Sequence, residues 1–472
     1  MMSRQALTPT AIALNRFGLG ARSDETVPVD ARRYLLDQFA RFDVAPAAFV
    51  QLPDGRALVA EYLMERREAR MMPESAGQSP PQPSDTQTNL RRDYAKEARN
   101  LYHQSAQARM ASAIASTAPF AERMVHFWAN HFSVSADNPQ TIAMVGGFEQ
   151  TAIRPHVLGK FSDMLMAVVQ HPAMLIYLNQ AQSIGPNSRA AEMEQERQPG
   201  KKRGLNENLA REIMELHTLG ARSGYTQADV TEFARALTGW GVSGIGGKTT
   251  GDPLAFQFRP GQHEPGTRTI MGRTYAQAGP EQARAILADF AAAPQTAAHV
   301  ATKLARHFAG DTPPQSLIDK LSRTFLSTGG DLPALYRTLV ESPEAWTPAP
   351  TKFRTPWEWA VASLRAVGPD PLEKIQTANV LEQLGQPIWK PGSPAGWDDI
   401  AASWAAPDAL LRRVEVAQRI ASFAADRIDA RATAPMLFPG SLDPVTAEQI
   451  AGAESPVTAF ALLLVSPDML RR

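Results

Sequence analysis

Residues Asn206–Trp240 constrain the fold of this chain more than any other segment. They read NENLAREIMELHTLGARSGYTQADVTEFARALTGW. Asn206 is a suitable N-cap, and Gly220 suits the position that follows a helix. Thr226 and Asp229 have the spacing of a capping box for a second helix. The segment therefore predicts two short helices joined by a glycine-bearing loop.

The same helical pattern repeats along the chain. Runs of Ala, Leu, Arg and Glu at helical spacing alternate with Pro and Gly over the 472 residues. We expect an all-α fold, a large irregular multi-helical array, in which residues 1–472 form a single integrated unit. Weak seams are expected near residues 90 and 350. A mobile loop rich in Pro, Ser and Gln is expected at residues 75–89.

One glycine-rich segment departs from the helical pattern. In residues 241–278, Phe256-Gln257-Phe258 and Thr267–Met271 flank Pro260-Gly261. Alternating polarity on both sides of a turn is typical of a β-hairpin. The sequence therefore predicts one small β-hairpin insertion.

Composition excludes several classes of function. The 48 basic and 48 acidic residues cancel, whereas general nucleic-acid binding requires a clustered positive field. Cysteine is absent, which excludes disulfides, thiolate nucleophiles and cysteine-ligated metals. No run approaches the ~18 apolar residues of a membrane span, and no signal peptide is visible. The chain is cytoplasmic as written, and its compartment stays open.

The first predicted helix of the opening segment carries a polar stripe. Asn208, Arg211, Glu212 and Glu215 follow helical spacing on one face, while His217 projects toward the interior. One interpretation is a cleft wall in which two carboxylates perform acid/base work. The alternative is a solvated face on which Arg211 pairs with an acid.

A second polar stripe lies on the predicted helix 119–133. Arg123, His126, Asn130 and Ser133 share one face, opposite an apolar face that includes Trp128. His126 and His131 are five residues apart and point about 140° away from each other, so one regular helix cannot direct both at one ion. We predict no metal and no cofactor.

Two further groups of residues are candidates for a site. His263 and Glu264, at the tip of the predicted hairpin, could act as a base and its orienting group, or be solvated turn residues. Five tryptophans fall within 48 residues and could line a carbohydrate- or aromatic-binding groove, or anchor helix packing. They are Trp357, Trp389, Trp397, Trp404 and Trp359.

These segments together resemble the bacterial family called domain of unknown function 1800. The resemblance covers most of the chain, including Leu14–Gly20, Phe127–Phe132, the whole Asn206–Trp240 block, Phe258–Gly266 and Gly396-Trp397 with Trp404. It implies a mostly helical protein and no established activity. Members of that family often resemble exported proteins. They are commonly found beside a sulfatase-like family, domain of unknown function 1501, which implies a partner protein and work on envelope polysaccharide.

We therefore expect a polar-cleft enzyme, or an enzyme-like binding protein, that acts on a hydroxyl-rich or anionic ligand. Its predicted catalytic residues are Glu212, Glu215, His126 and His263. Its predicted substrate-binding residues are Arg123, Arg211, Asn130, Asn208 and Glu264. The alternative is a non-catalytic helical scaffold that works with a sulfatase-like partner.

Overall fold

The computed structural model of the chain describes residues 5–71, 85–197, 204–245, 252, 254–368, 370–424 and 426–472. Helices dominate these residues, and the strands form only two short antiparallel pairs within them. The predicted all-α class with a small β insertion is therefore confirmed. No helix in these ranges is long and apolar enough to cross a membrane.

The α-helices of the first half are α1 Pro9–Ile12, α2 Ala31–Leu36, α3 Ala47–Val50, α4 Gly55–Met71, α5 Asp85–Ala115, α6 Pro119–His131, α7 Val145–Phe148, α8 Phe161–Gln170, α9 Pro172–Tyr177, α10 Arg189–Arg197, α11 Asn208–Glu212 and α12 Gln227–Leu237. Those of the second half are α13 Pro280–Ala292, α14 Pro294–Ala309, α15 Gln315–Ser327, α16 Leu332–Glu341, α17 Pro356–Val367, α18 Thr377–Gln383, α19 Pro407–Ala424, α20 Ala430–Leu437, α21 Pro444–Ala451, α22 Pro456–Val465 and α23 Pro467–Leu470.

Helices α6, α14 and α17, like several others in the chain, begin with a proline in the first turn. Proline suits that position because its fixed φ is already helical and its missing N–H would have had no partner there. In α17 the side chain of Thr355 also accepts a hydrogen bond from the backbone of Glu358, whose own side chain bonds back to Thr355. This capping box fixes Glu358 at the start of α17.

Helix α6 has an apolar edge and a polar edge, and both edges are buried inside the protein. Its apolar edge, which includes Met124, Val125 and Trp128, is fully buried. The Nε1 of Trp128 donates to the hydroxyl of Tyr336 at 2.6 Å. The opposite edge, with Arg123 and His126, is also buried, so it must meet polar partners inside the molecule.

Three π-helical turns follow or extend short α-helices, at Ala13–Phe17, Glu149–Ile153 and Ile213–His217. The third replaces the regular end of the predicted 206–219 helix, which is α-helical only over α11. Such turns place extra backbone carbonyls outside the regular hydrogen-bond pattern and are frequent at functional sites. Here the carbonyl of His217 accepts from the ring of His131 at 3.1 Å.

The β structure differs from the predicted single hairpin. Strands are β1 Trp240–Val242, β2 Phe256–Phe258, β3 Arg268–Ile270 and β4 Arg273–Tyr275. β2 pairs with β1, and β3 pairs with β4, so the predicted pairing across Pro260-Gly261 is wrong. The reason is that residues 260–262 form a 3-10 turn, and Gly272 at φ +79° supplies the tight turn between β3 and β4.

One hydrophobic core cluster runs from Ile12 to Met469 through the described residues. The predicted seams near residues 90 and 350 stay predictions. The predicted mobile loop at residues 75–89 lies outside the described residues up to residue 84, and from Asp85 onward the chain is helical.

Candidate functional site

A cavity of about 260 Å³ lies where α6, α14, α17 and the loop of residues 386–399 meet. We call it the α6–α14 cavity. The polar edge of α6 forms one wall, since Arg123, His126, Asn130 and Ser133 all line it. The polar stripe predicted on this helix therefore faces a cavity and not bulk solvent.

Glu358 is the buried acid of the site. It accepts from the guanidinium of Arg123 and lies 2.8 Å from a guanidinium nitrogen of Arg472. Burial disfavours its charge, but Arg472 and Arg123 outweigh burial and hold the pKa of the carboxyl well below its usual range. Arg123 is fixed further by donating to the carbonyl of Gly18 at 2.7 Å.

Asp399 is a second acid on the cavity wall, opposite α14. One of its oxygens lies 3.5 Å from Nδ1 of His307 and 3.3 Å from the ammonium of Lys352. These contacts outweigh burial, so the pKa of Asp399 lies below its usual range. Burial lowers the pKa of His307 to about 4, against the attraction of Asp399 and Glu358, and the ring is neutral near pH 7.

His126 is neutral for a similar reason. Burial and then the nearby Arg109, Arg154 and Arg123 lower its pKa well below the usual value. Its Nδ1 accepts from the indole of Trp357 at 3.2 Å, which leaves the ring proton on Nε2. That nitrogen has no hydrogen-bond partner among the described residues. Nε2 is itself buried and lies 3.7 Å from Oε1 of Glu122, beyond hydrogen-bond distance.

Lys303 and Arg306 are the cations of the cavity that have no acid of their own. Both line it from α14, and neither makes a hydrogen bond or an ion pair with any residue in the described ranges. Burial, with Arg306 as a further cause and Asp399 opposing, lowers the pKa of Lys303 to about 8. The wall therefore presents two positive groups that a bound anion would neutralise.

Tryptophans provide the apolar surface of the cavity. Trp357, Trp389 and Trp397 line it, whereas Trp359 is fully buried in the core. The guanidinium of Arg109 lies 4.3 Å from the centre of the Trp357 ring and 5.4 Å from that of Trp389. The tryptophan group therefore serves both predicted purposes, since three of its members line the cavity and Trp359 packs in the core.

Asn130 holds the loop that carries Trp397. Its Oδ1 accepts from the backbone N–H of Trp397 at 2.7 Å, and its Nδ2 donates to the carbonyl of the same residue at 2.9 Å. Gly396 has φ +80°, and a Cβ there would lie 2.8 Å from Oδ1 of Asn130. Only glycine permits this close approach without strain. Asn130 is thus a positioning residue for the cavity wall.

The predicted stripe on α11 and its π-helical turn does not line the α6–α14 cavity. Asn208 is exposed, and Arg211 pairs with Glu207 at 3.1 Å. Burial and then the charge of Glu215 raise the pKa of Glu212 above its usual value. Glu212 and Glu215 therefore form a partly buried acidic pair of their own.

The predicted pair at residues 263 and 264 also lies outside the lining of the cavity. Nδ1 of His263 lies 2.9 Å from the carbonyl of Thr238. The buried carboxylate of Glu264 accepts from the backbone and the side chain of Asn187, at 2.8 and 2.6 Å. In the described structure Glu264 therefore binds a neighbouring loop and makes no hydrogen bond to the ring of His263.

A cluster of three histidines packs behind Lys303. The ring centre of His131 lies 6.3 Å from that of His217 and 5.9 Å from that of His299. Burial and the charge of Lys303 lower the pKa of all three. Within the described ranges no group of His, Asp and Glu is arranged to hold a metal ion.

Comparison with protein families identifies the chain. The model of a family described as protein of unknown function (DUF1800) matches residues 12–471. The chain belongs to the DUF1800 family. Comparison with curated proteins and with solved structures gives no match.

Sequence reasoning missed five residues that define the cavity of this DUF1800 protein. They are Arg109, Lys303, Arg306, Glu358 and Asp399. A signal existed for two of them, because His299, Lys303 and Arg306 follow i, i+4, i+7 spacing on one helix. The sequence around Glu358 indicates only a helix cap, and Asp399 lies in a loop that has no helical or strand periodicity.

Proposed function

We propose that this DUF1800 protein binds a small anionic ligand bearing hydroxyl groups in the α6–α14 cavity, as an enzyme or an enzyme-like binding protein. The observation that carries the proposal is the pair Lys303 and Arg306. Both face the cavity, and among the described residues neither has a carboxylate within ion-pair distance. A cation left unpaired in a partly buried site is costly unless a ligand supplies the opposite charge.

The other arginines of the lining, with Glu358 and Asp399, have charged protein partners, whereas the carboxylate of Asp398, which also lines the cavity, accepts from the hydroxyl of Ser403. Arg109 pairs with Glu149 at 2.8 Å. Arg123 pairs with Glu358, and Asp399 lies between Lys352 and His307. The lining cations that lack a charged partner both lie on α14, which favours a carboxylate, sulfate or phosphate group of the ligand at that wall.

The remaining lining favours a ligand with both flat and hydroxyl-bearing surfaces. Trp357, Trp389 and Trp397 offer ring faces, while the hydroxyl of Ser133 offers a hydrogen-bonding group. A volume of about 260 Å³ lies just below the ~300–1,000 Å³ of drug-sized pockets. An acidic monosaccharide, or the charged end of a longer polysaccharide, matches this size.

Of the predicted catalytic residues, His126 stands in the lining, but its Nε2 is buried beside Glu122 and its Nδ1 accepts from Trp357, so its role as a proton carrier stays a prediction. Roles for Glu212, Glu215 and His263 stay predictions, as do binding roles for Arg211, Asn208 and Glu264. The sulfatase-like partner also stays a prediction. A sulfated or phosphorylated sugar would suit both proteins.

Calorimetric titration with glucuronate, and with glucose as the uncharged comparison, tests the proposal. We expect glucuronate to bind and glucose to bind at least 10-fold more weakly. Arg306→Met should weaken glucuronate binding by ~10- to 150-fold, because a hydrogen bond to a charged group is worth ~1.5–3 kcal/mol. Arg323→Met, which changes an exposed arginine of α15, is the matched control. Equal affinities for the two sugars, or equal effects of the two variants, would refute the proposal.

A further inference from the structure

Lys303 is exceptional among the charged groups of the α6–α14 cavity. It is partly buried on α14, it faces the cavity, and no hydrogen bond or ion pair within the described ranges occupies its amine. Lys352, in contrast, lies 2.8 Å from Asp311 and 3.3 Å from Asp399. Lys352 is therefore a structural lysine, whereas the amine of Lys303 is free to meet a ligand.

We propose that Lys303 is a nucleophilic amine that condenses with the carbonyl carbon of an anionic aldehyde or ketone bound in the α6–α14 cavity. The proposal rests on the anion site proposed above and names its substrate class. Arg306, on the next turn of α14, would bind the anionic group and so bring the carbonyl to the amine.

The groups around Lys303 disfavour its ammonium form. Arg306 and His299 come from its own helix, His131 from α6, and His217 from the adjacent π-helical turn. The three rings are neutral near pH 7 because burial lowers their pKa, so none supplies a negative charge. Asp399 is the carboxylate whose charge acts on Lys303 in the opposite direction.

The balance of these effects lowers the pKa of Lys303 to about 8, from an ordinary value near 10.5. About half of the amine is therefore neutral at pH 8, and only the neutral form has the lone pair that attacks a carbonyl. A lysine beside a second cation and away from water is a recognised way to activate this nucleophile.

The step balances without an oxidant or a reductant. The amine nitrogen forms a bond to the carbonyl carbon, and a proton moves from nitrogen to oxygen to give a carbinolamine. The carbinolamine loses its hydroxyl as water while the second N–H proton leaves, which gives the C=N bond. Asp399, ionised because its pKa is lowered, lies in the same lining beyond ion-pair distance of the amine, so a water molecule between them would carry the nitrogen proton and return it to the departing hydroxyl. The tryptophan walls limit water, which favours dehydration over hydrolysis.

Pyridoxal 5′-phosphate is a suitable probe, since it carries an aldehyde, a phosphate and a planar ring. The full chain would be incubated with it at pH 8, reduced with borohydride, digested and mapped by mass spectrometry. We expect label on Lys303 at reagent concentrations that leave the exposed Lys96 unlabelled. The rate of labelling should rise with pH with a midpoint near 8, whereas an ordinary lysine has a pKa of ~10.4.

Two comparisons separate this proposal from the anion site on which it rests. Lys303→Arg keeps the positive charge and removes the nucleophile, so it should abolish the label at this position, whereas Arg323→Met, outside the cavity, should keep both the label and the glucuronate affinity of the wild type. Unphosphorylated pyridoxal tests the amine alone: equal labelling of Lys303 by both aldehydes would support the nucleophile and refute the anion site. An unlabelled Lys303 in a wild-type protein that binds glucuronate would overturn the nucleophile and leave the anion site standing. The mapping uses the wild-type chain and does not depend on a variant that folds.

Discussion

Replacing Glu358 with glutamine should lower the free energy of unfolding by more than the same replacement of a carboxylate at the protein surface. The side chain is 7% exposed and interacts with two guanidinium groups, Arg123 and Arg472. Glutamine can still accept the capping hydrogen bond from Thr355 N–H, which is 3.0 Å long in the wild type. The substitution therefore removes mainly the charge, and leaving buried cations without their partner costs ~3–5 kcal/mol.

Urea unfolding at pH 7, followed by tryptophan fluorescence and by circular dichroism, measures this loss. The matched control is Glu344→Gln. Glu344 also accepts from a cation, since Lys320 lies 2.8 Å away, but the lysine side chain is 40% exposed. An exposed pair of this kind is worth ~0.2–1 kcal/mol. If the two variants lose the same stability, the reasoning from burial is wrong.

The pH dependence gives a second check on the same residue. The pKa of Glu358 is lower in the folded protein than in the unfolded chain, where it is ~4.3. The stabilisation that the Glu358 charge contributes to the folded protein is therefore complete above pH ~4.3. It is lost as pH falls through the lower pKa of the folded state. The stability difference between wild type and Glu358→Gln should stay constant from pH 5 to 8 and narrow below pH 4. A difference that grows on acidification would contradict the assignment.

The remaining predictions concern the cavity wall, the buried rings and the pH response. Gly396→Ala should weaken glucuronate binding, because the added Cβ would press on Asn130. The control is Gly392→Ala, where φ is +74° and the added Cβ meets open space. It should cost only ~1 kcal/mol of stability and leave glucuronate binding unchanged. Trp128→Phe should lose ~1–3 kcal/mol in urea unfolding, because the hydroxyl of Tyr336 would lose its buried donor, and an unchanged midpoint would argue against that bond. The free energy of unfolding should fall as pH drops from ~6.5 to 4, by ~1.4 kcal/mol per pH unit for each histidine whose pKa is lowered by burial. The reason is that these histidines become protonated in the unfolded chain and stay neutral in the folded protein. A flat stability profile over that range would exclude neutral buried rings.

Local periodicity predicted the α6 wall of the site. Helical spacing alone separates Arg123, His126 and Asn130 from the apolar edge, and all three line the cavity. The same geometry directs His126 and His131 apart, and His131 indeed packs against His217 and not against the cavity. These features could be predicted because they depend on residues within one or two helical turns.

The rest of the site depends on contacts between residues that are distant in sequence. Glu358 meets Arg123 across 235 positions, and Asn130 meets Trp397 across 267. No periodicity in a single segment encodes such a pairing. The strand pairing failed for a related reason, since β1 lies before a long loop and competes with β3 as a partner for β2. Tertiary packing, and not strand propensity, decides which strand pairs with β2.

The segments that carry the family resemblance do not contribute equally to the cavity. Leu19 lines it, Gly18 holds Arg123, and Asn130 with Gly396 shapes the wall. The Asn206–Trp240 block, the strongest motif in the sequence, supplies no residue to the lining. It reaches the cavity through His217, which packs against His131 and is close enough for the charge of Lys303 to lower its pKa. His217 is fully buried, and its carbonyl accepts from the ring of His131, which links the block to α6 behind the cavity. The block therefore belongs to the packing behind the cavity, while the shorter segments shape and line the cavity itself.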